Sequence, residues 1–163
     1  TRMGAVGAAT TYLDALGGSA LLDSARLERT LRSIASPAAL PSLRRAYREA
    51  GVQVRTQLGV GTAPEPAVIV RAAPVGYRIE RFTPAAATVA VWRVGIVGSG
   101  ATVEPQQSWR TETVSLVWES GAWKVAALRS SPGPTPPLGT PAAAAADLFT
   151  SIPQFEEFGS VVP

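Results

Sequence analysis

Chemistry in this 163-residue chain must come from carboxylates, tyrosines, arginines and hydroxyls, because it contains no histidine and no cysteine. Without histidine there is no Ser–His nucleophile pair and no use of the commonest general base. Without either residue the usual zinc sites, thiol chemistry and disulfides are also excluded. No Gly-x-x-x-x-Gly-Lys phosphate loop occurs. Gly98-Ser99-Gly100 is too short for one and lies between strand patterns, so it reads as a hairpin turn. The sequence offers no catalytic residue, no metal site and no cofactor site.

Several polar groups remain open to two readings. Arg93 sits among valines in a strand pattern, and Arg110 shares a strand with Glu112. Each could be a buried cavity group or an outward ion pair, and surface pairing is favoured. Tyr12 and Asp14 are two residues apart on a helical pattern, so their side chains diverge, and Asp14 is expected to be solvated. Arg44, Arg45 and Arg48 mark one helix face. A solvated face is the default, and membrane headgroups or an acidic partner are the sharper alternative. Trp92, Trp109, Trp118 and Trp123 belong by default in a core beneath helices. Exposed on the sheet, they would mark a partner surface.

Composition narrows the class. Hydrophobic content of 46% with 17% charged residues is that of a folded chain, at a length suited to one domain. Fifteen Lys+Arg against 12 Asp+Glu leave a net charge of only +3, and Lys124 is the one lysine. No long basic run interleaved with aromatics occurs, so no nucleic-acid partner is expected. No apolar run approaches the about 20 residues needed to cross a membrane. The chain begins at Thr1 without an initiator methionine, which suggests a cut or processed form whose leader or anchor lay upstream.

The elements that position these groups are set by periodicity. Val6, Ala9, Leu13 and Leu16 share one face of a helix over about residues 3–16, ended by Gly17-Gly18. Ser19 or Asp23 caps a second helix with Leu27, Leu31 and Ile34 as its stripe, broken by Pro37. Leu40, Leu43, Tyr47 and Ala50 define a third over about residues 38–50, which Gly51 is expected to stop. Alternation then predicts strands at 52–60, 67–70, 75–82, 87–97, 109–119 and 122–129, the last two joined at Ser120-Gly121. Ser131-Pro-Gly-Pro-Thr-Pro-Pro137 opens a proline-stiffened linker to residue 141. A short helix is expected at 142–149, then a tail carrying Ile152, Phe155 and Phe158. The order of helices, then a strand meander, predicts an α+β domain: N-terminal helices packed on a strongly curved antiparallel sheet. It spans residues 1–130, and 131–163 form a Pro-rich C-terminal extension.

The stretches Ala8-Ala9-Thr10-Thr11-Tyr12-Leu13-Asp14-Ala15-Leu16 and Thr113-Val114-Ser115-Leu116-Val117-Trp118-Glu119-Ser120-Gly121-Ala122-Trp123-Lys124-Val125 carry a resemblance. The chain resembles the nuclear transport factor 2-like (cystatin-like) superfamily over about residues 3–130, the second stretch matching its closing "W…GxWKV" hairpin. Within it, the chain looks most like extracytoplasmic domains of actinobacterial membrane-anchored proteins, including scaffold subunits of conjugation and type IV secretion machines. That resemblance implies a non-catalytic assembly domain, on the extracytoplasmic side of a bacterial membrane and anchored by a segment N-terminal to this chain. It also implies protein partners in an envelope complex and pairing of copies through the sheet. Arg44, Arg45, Arg48, Trp92, Phe155 and Phe158 are then the expected interaction surface. The enzymatic branch of the superfamily offers the alternative, a small-molecule binder or a cyclase- or isomerase-like enzyme. It would need a carboxylate base and a tyrosine in a cone-shaped cavity. Tyr12, Tyr47, Arg93 and Trp118 are the expected lining, with Asp14, Tyr77, Glu80 and Glu112 as further candidates. A third role, binding peptidoglycan or another envelope component, has no motif to support it.

Overall fold

The computed structural model describes residues 1–59, 68–99 and 103–136. Helix α1, Arg2–Leu16, starts where the Thr1 hydroxyl accepts the Gly4 N–H at 3.0 Å. It buries Ala5, Val6, Ala9, Leu13 and Leu16, the stripe expected from its spacing. A 3-10 turn, Gly18–Leu22, leads into α2, Ser24–Ile34, capped by the Asp23 carboxylate on Arg26 N–H at 2.9 Å. Helix α3 runs from Leu40 to Leu58, where Gly59 takes the left-handed conformation and closes it.

The helical span of α3 corrects the sequence expectation at two points. Gly51 does not stop the helix, and residues 52–58 are helical rather than a strand. Leu43, Tyr47, Gly51, Val54 and Leu58 fall at intervals of four, four, three and four and form one inward stripe. Gly51 lies in that stripe because a Cβ there would stand 2.8 Å from the Leu21 carbonyl oxygen. The close approach of the 3-10 turn to α3 needs a residue with no side chain.

Four strands follow among the described residues: β1 Val68–Phe82, β2 Ala86–Ser99, β3 Val103–Glu119 and β4 Ala122–Pro132. They pair antiparallel in sequence order, leaving β1 and β4 as edges of a curved, unclosed sheet. The two short strands expected at 67–70 and 75–82 are one strand, with register shifts at Pro74/Gly76 and Ile79/Arg81. Proline is tolerated there because β1 is an edge and one N–H can be spared from the ladder. Strand β3 starts six residues before Trp109, and β4 runs two residues into the expected linker. The expected helix at 142–149, Phe155 and Phe158 lie outside the described residues.

The three helices pack on one face of the sheet, which gives the α+β architecture expected from the sequence. Leu16, Leu31, Leu58, Val89, Val91, Val114, Leu116 and Val125 are fully buried. Burying each contributes about 1.5–3 kcal/mol before entropy is subtracted. The link between α2 and α3 also covers part of the β4 edge: Ser36 N–H donates to the Val125 carbonyl at 2.9 Å, beside a parallel Ala35–Val125 bridge.

Candidate functional site

Alternation along β2 sorts its side chains. Ala87, Val89, Val91 and Arg93 point toward the helices, while Ala90 and Trp92 point to the opposite face. The helix side is therefore the place to look for a cavity, and hydrophobic side chains fill it. Val89, Val91, Val114 and Leu116 from the sheet meet Ala9, Leu13, Leu16, Leu27 and Leu31 from the helices in one cluster.

The candidate cavity residues stand at the edge of that cluster and beyond it. Arg93 is only 8% exposed. It turns inward and is not the outward ion-pairing group favoured from sequence. Its Nη1 donates to the Leu13 carbonyl at 3.2 Å and its Nη2 to Asp14 Oδ1 at 2.6 Å. Asp14 is thus paired rather than merely solvated. Partial burial still pushes its carboxyl above the usual aspartate range, which the guanidinium only partly offsets. Tyr47 is half-buried against the core; burial first, then the Glu112 carboxylate, push its phenol up, with Arg93 opposing. It stays a neutral phenol at physiological pH. Tyr12 donates to the Trp123 carbonyl at 2.7 Å, a structural tie between α1 and β4. Glu112 is held by the Ser130 hydroxyl at 2.8 Å, with Arg110 3.7 Å away. Trp118 stands 47% exposed at the sheet end, edge-on to Trp123 at 5.3 Å. Tyr12 and Trp118 thus meet Trp123, one at its carbonyl and the other at its ring, while Arg93 is held apart by Leu13 and Asp14.

The opposite face carries Trp92, one of the expected interaction residues, in a setting the sequence did not reveal. Trp92 and Trp109 lie with ring centroids 4.8 Å apart, and the segment after β4 runs beside them as a strap, its Gly133 N–H on the Trp109 carbonyl at 2.8 Å. Trp92 Nε1 donates to the Pro134 carbonyl at 2.9 Å, and the Thr111 hydroxyl donates to the Gly133 carbonyl at 2.8 Å. Between the strap and β1 runs a groove of about 660 Å³, floored by Ala90 and Trp92 and rimmed by Arg78, Glu80 and Thr113. Reading 131–137 wholly as linker concealed the strap. The signal for the groove was present in the even-numbered positions of β2, where alanine and tryptophan replace the valines of the other face.

The three arginines of α3 do not act together. Arg44 joins Arg32 on the Glu28 carboxylate of α2, with Arg44 Nε at 3.0 Å and Arg32 Nε at 2.7 Å. Those contacts hold the Glu28 carboxyl below its usual range. Arg48 stays exposed beside a groove of about 290 Å³ between α2 and α3. Arg45 is exposed on the adjacent face, and neither makes an ion pair among the described residues.

No protein-family model matches the chain, and no curated protein matches it. Solved structures share its fold. One is an IcmL-like type IV secretion system protein from Legionella pneumophila subsp. pneumophila str. Philadelphia 1. The TM-score is 0.60 at 13% identity, over 85% of this chain and 97% of that one. Another is a periplasmic fragment of TraM, with a TM-score of 0.54 at 10% identity, over 82% of this chain and 98% of that one. At such identities the likeness is one of fold.

Proposed function

We propose that the chain is a non-catalytic assembly domain of a type IV secretion or conjugation machine, working on the extracytoplasmic side of a bacterial membrane. The observation that carries this is the contrast between the two sheet faces. The helix side is packed with aliphatic side chains, whereas the outer face presents a tryptophan-floored groove. Surface burial, not turnover, is what such a molecule can offer. Two fold neighbours, an IcmL-like type IV secretion system protein and a periplasmic fragment of TraM, support the setting.

In this reading residues 1–130 form the nuclear transport factor 2-like domain and 131–163 its extension, in an actinobacterial protein anchored by a segment upstream of Thr1. Trp92 anchors one protein partner on the outer face, Arg45 and Arg48 meet another on the helix side, and copies pair through the sheet. Deleting the gene in its own host should abolish DNA transfer or effector secretion. A photo-crosslinking residue at Thr113, in the groove rim, should trap an envelope protein of the machine, while one at Arg29 on α2 should not. Intact transfer and secretion after deletion would refute the proposal.

A further inference from the structure

The outer groove lies where the described chain ends. Its wall is Ser131–Pro134, so the described chain ends two residues beyond the groove wall, at Pro136. The C-terminal residues differ in chemistry from the rest of the chain. All 15 Lys and Arg lie in residues 1–136 against nine acidic residues, a formal charge of +6. Residues 137–163 hold Asp147, Glu156 and Glu157 with no cation, a formal charge of −3. Three of the chain's four phenylalanines, Phe149, Phe155 and Phe158, also lie there. An acidic, aromatic segment is thus tethered beside a tryptophan-floored groove whose rim carries the exposed Arg78–Glu80 ion pair, 2.9 Å between Nη2 and Oε1.

We infer that residues 147–158 of the same chain dock in the outer-face groove. Phe155 and Phe158 would cover the exposed part of Trp92, and Glu156 and Glu157 would compete with Glu80 for Arg78. Ten residues separate Pro136 from Asp147, a tether long enough to return to the groove even if its alanine run is helical at about 1.5 Å per residue. Tethering so close raises the local concentration to the order of millimolar, so docking within one chain outcompetes exchange between chains at ordinary protein concentrations. The Trp92 indole N–H already shows how this face holds extended chain: it donates to the backbone carbonyl of Pro134. The inference concerns two parts of one chain and can be tested without the secretion reading; where both hold, the envelope partner displaces this segment from the groove.

The test uses the full chain, whose lack of cysteine allows a single nitroxide at Ser160→Cys. The expected result is loss of the Trp92 and Trp109 indole signals and of the Thr113 amide signal. The Leu27 and Leu31 amides of α2 should persist. Phe155→Ala with Phe158→Ala in the labelled chain should restore the lost signals. Mixing nitroxide-labelled chains with separately isotope-labelled ones should leave the spectrum unbroadened. Three results would overturn the inference: broadening on the helix side or nowhere, signals unchanged by the double substitution, or broadening that appears only between chains.

Discussion

Arg93, in the middle of β2, reaches through the helix-side face to Asp14 in the last turn of α1, with 2.6 Å between Nη2 and Oδ1. The pair is lopsided. The arginine side chain is 9% exposed and the aspartate 49%. Arg93 Nε is buried without a partner among the described residues. A guanidinium is thus held mainly by one carbonyl and one half-solvated carboxylate, with part of its bonding capacity unused.

Removing the arginine should cost more than replacing its bulk. Arg93→Ala opens space in the core and strips Asp14 and the Leu13 carbonyl of their partner, so a loss of about 3 kcal/mol is expected. Arg93→Met unpairs the same two groups but fills the volume, so it should cost about 1–2 kcal/mol less than alanine. Urea unfolding midpoints of the two variants measure the difference, and equal losses would contradict this account.

Two carboxylates should give pH dependences of opposite sign. The Glu28 carboxyl is lowered from 4.5 by its hydrogen bonds to Arg32 and Arg44. Its stabilisation is present above that value and lost as pH falls through the lower folded value. The Asp14 carboxyl is raised from 3.8, chiefly by desolvation. Its contribution is present below 3.8 and lost as pH rises through the higher folded value. Glu28→Gln should therefore flatten the acid limb of the stability curve. Asp14→Asn should gain relative to the parent as pH rises past about 4. Thermal melts from acid to neutral pH read both signs.

Two glycines in helices should respond oppositely to alanine. At Gly7 of α1 an added Cβ meets nothing within 4 Å, so Gly7→Ala should stabilise by about 0.5–1 kcal/mol through helix propensity. At Gly51 the same atom would stand 2.8 Å from the Leu21 carbonyl oxygen. Overpacking of about 1–3 kcal/mol should there outweigh the propensity gain. Calorimetric melting of both variants decides it.

Trp92→Ala should release the strap without disturbing the helix-side core. It loses the stacking on Trp109 and one hydrogen bond, together about 1–3 kcal/mol. Proteolysis should then cut after Arg129, while the amides of Val89, Val91 and Val114 keep their hydrogen-exchange protection. Loss of that protection would mean that the outer face supports the core after all.

Much of this molecule is legible in its periodicities. The α1 stripe, the α2 stripe and the Ser120-Gly121 hairpin need only a 3.6- or 2-residue repeat and a turn dipeptide to be found. Residues 52–58 defeated the same method. Val52, Val54, Thr56 and Leu58 satisfy alternation, and Val54 and Leu58 equally continue the stripe of Leu43 and Tyr47. The glycine at 51 reads locally as a stop, and only contact with the Leu21 carbonyl reveals it as a close-packing position. The candidate site was half legible in the same way. Trp92 stood out by type, but its companions Trp109, Thr111 and Pro134 lie on a different strand and in the strap beyond the sheet.

By itself the sequence determined the local conformations outside residues 51–58 and the proline segment, the α+β class and the chemistry that is missing, because side-chain period, turn residues and the absence of histidine and cysteine are properties of neighbours and of composition. Tertiary structure alone decided that Arg93 turns inward to Asp14, that Glu28 takes Arg44 and leaves Arg45 and Arg48 without an ion pair among the described residues, and that the start of the proline segment straps Trp92. Each of these depends on residues far apart in the chain. Its geometry is set by strand register and helix docking, which depend on how the whole core packs and on no single segment.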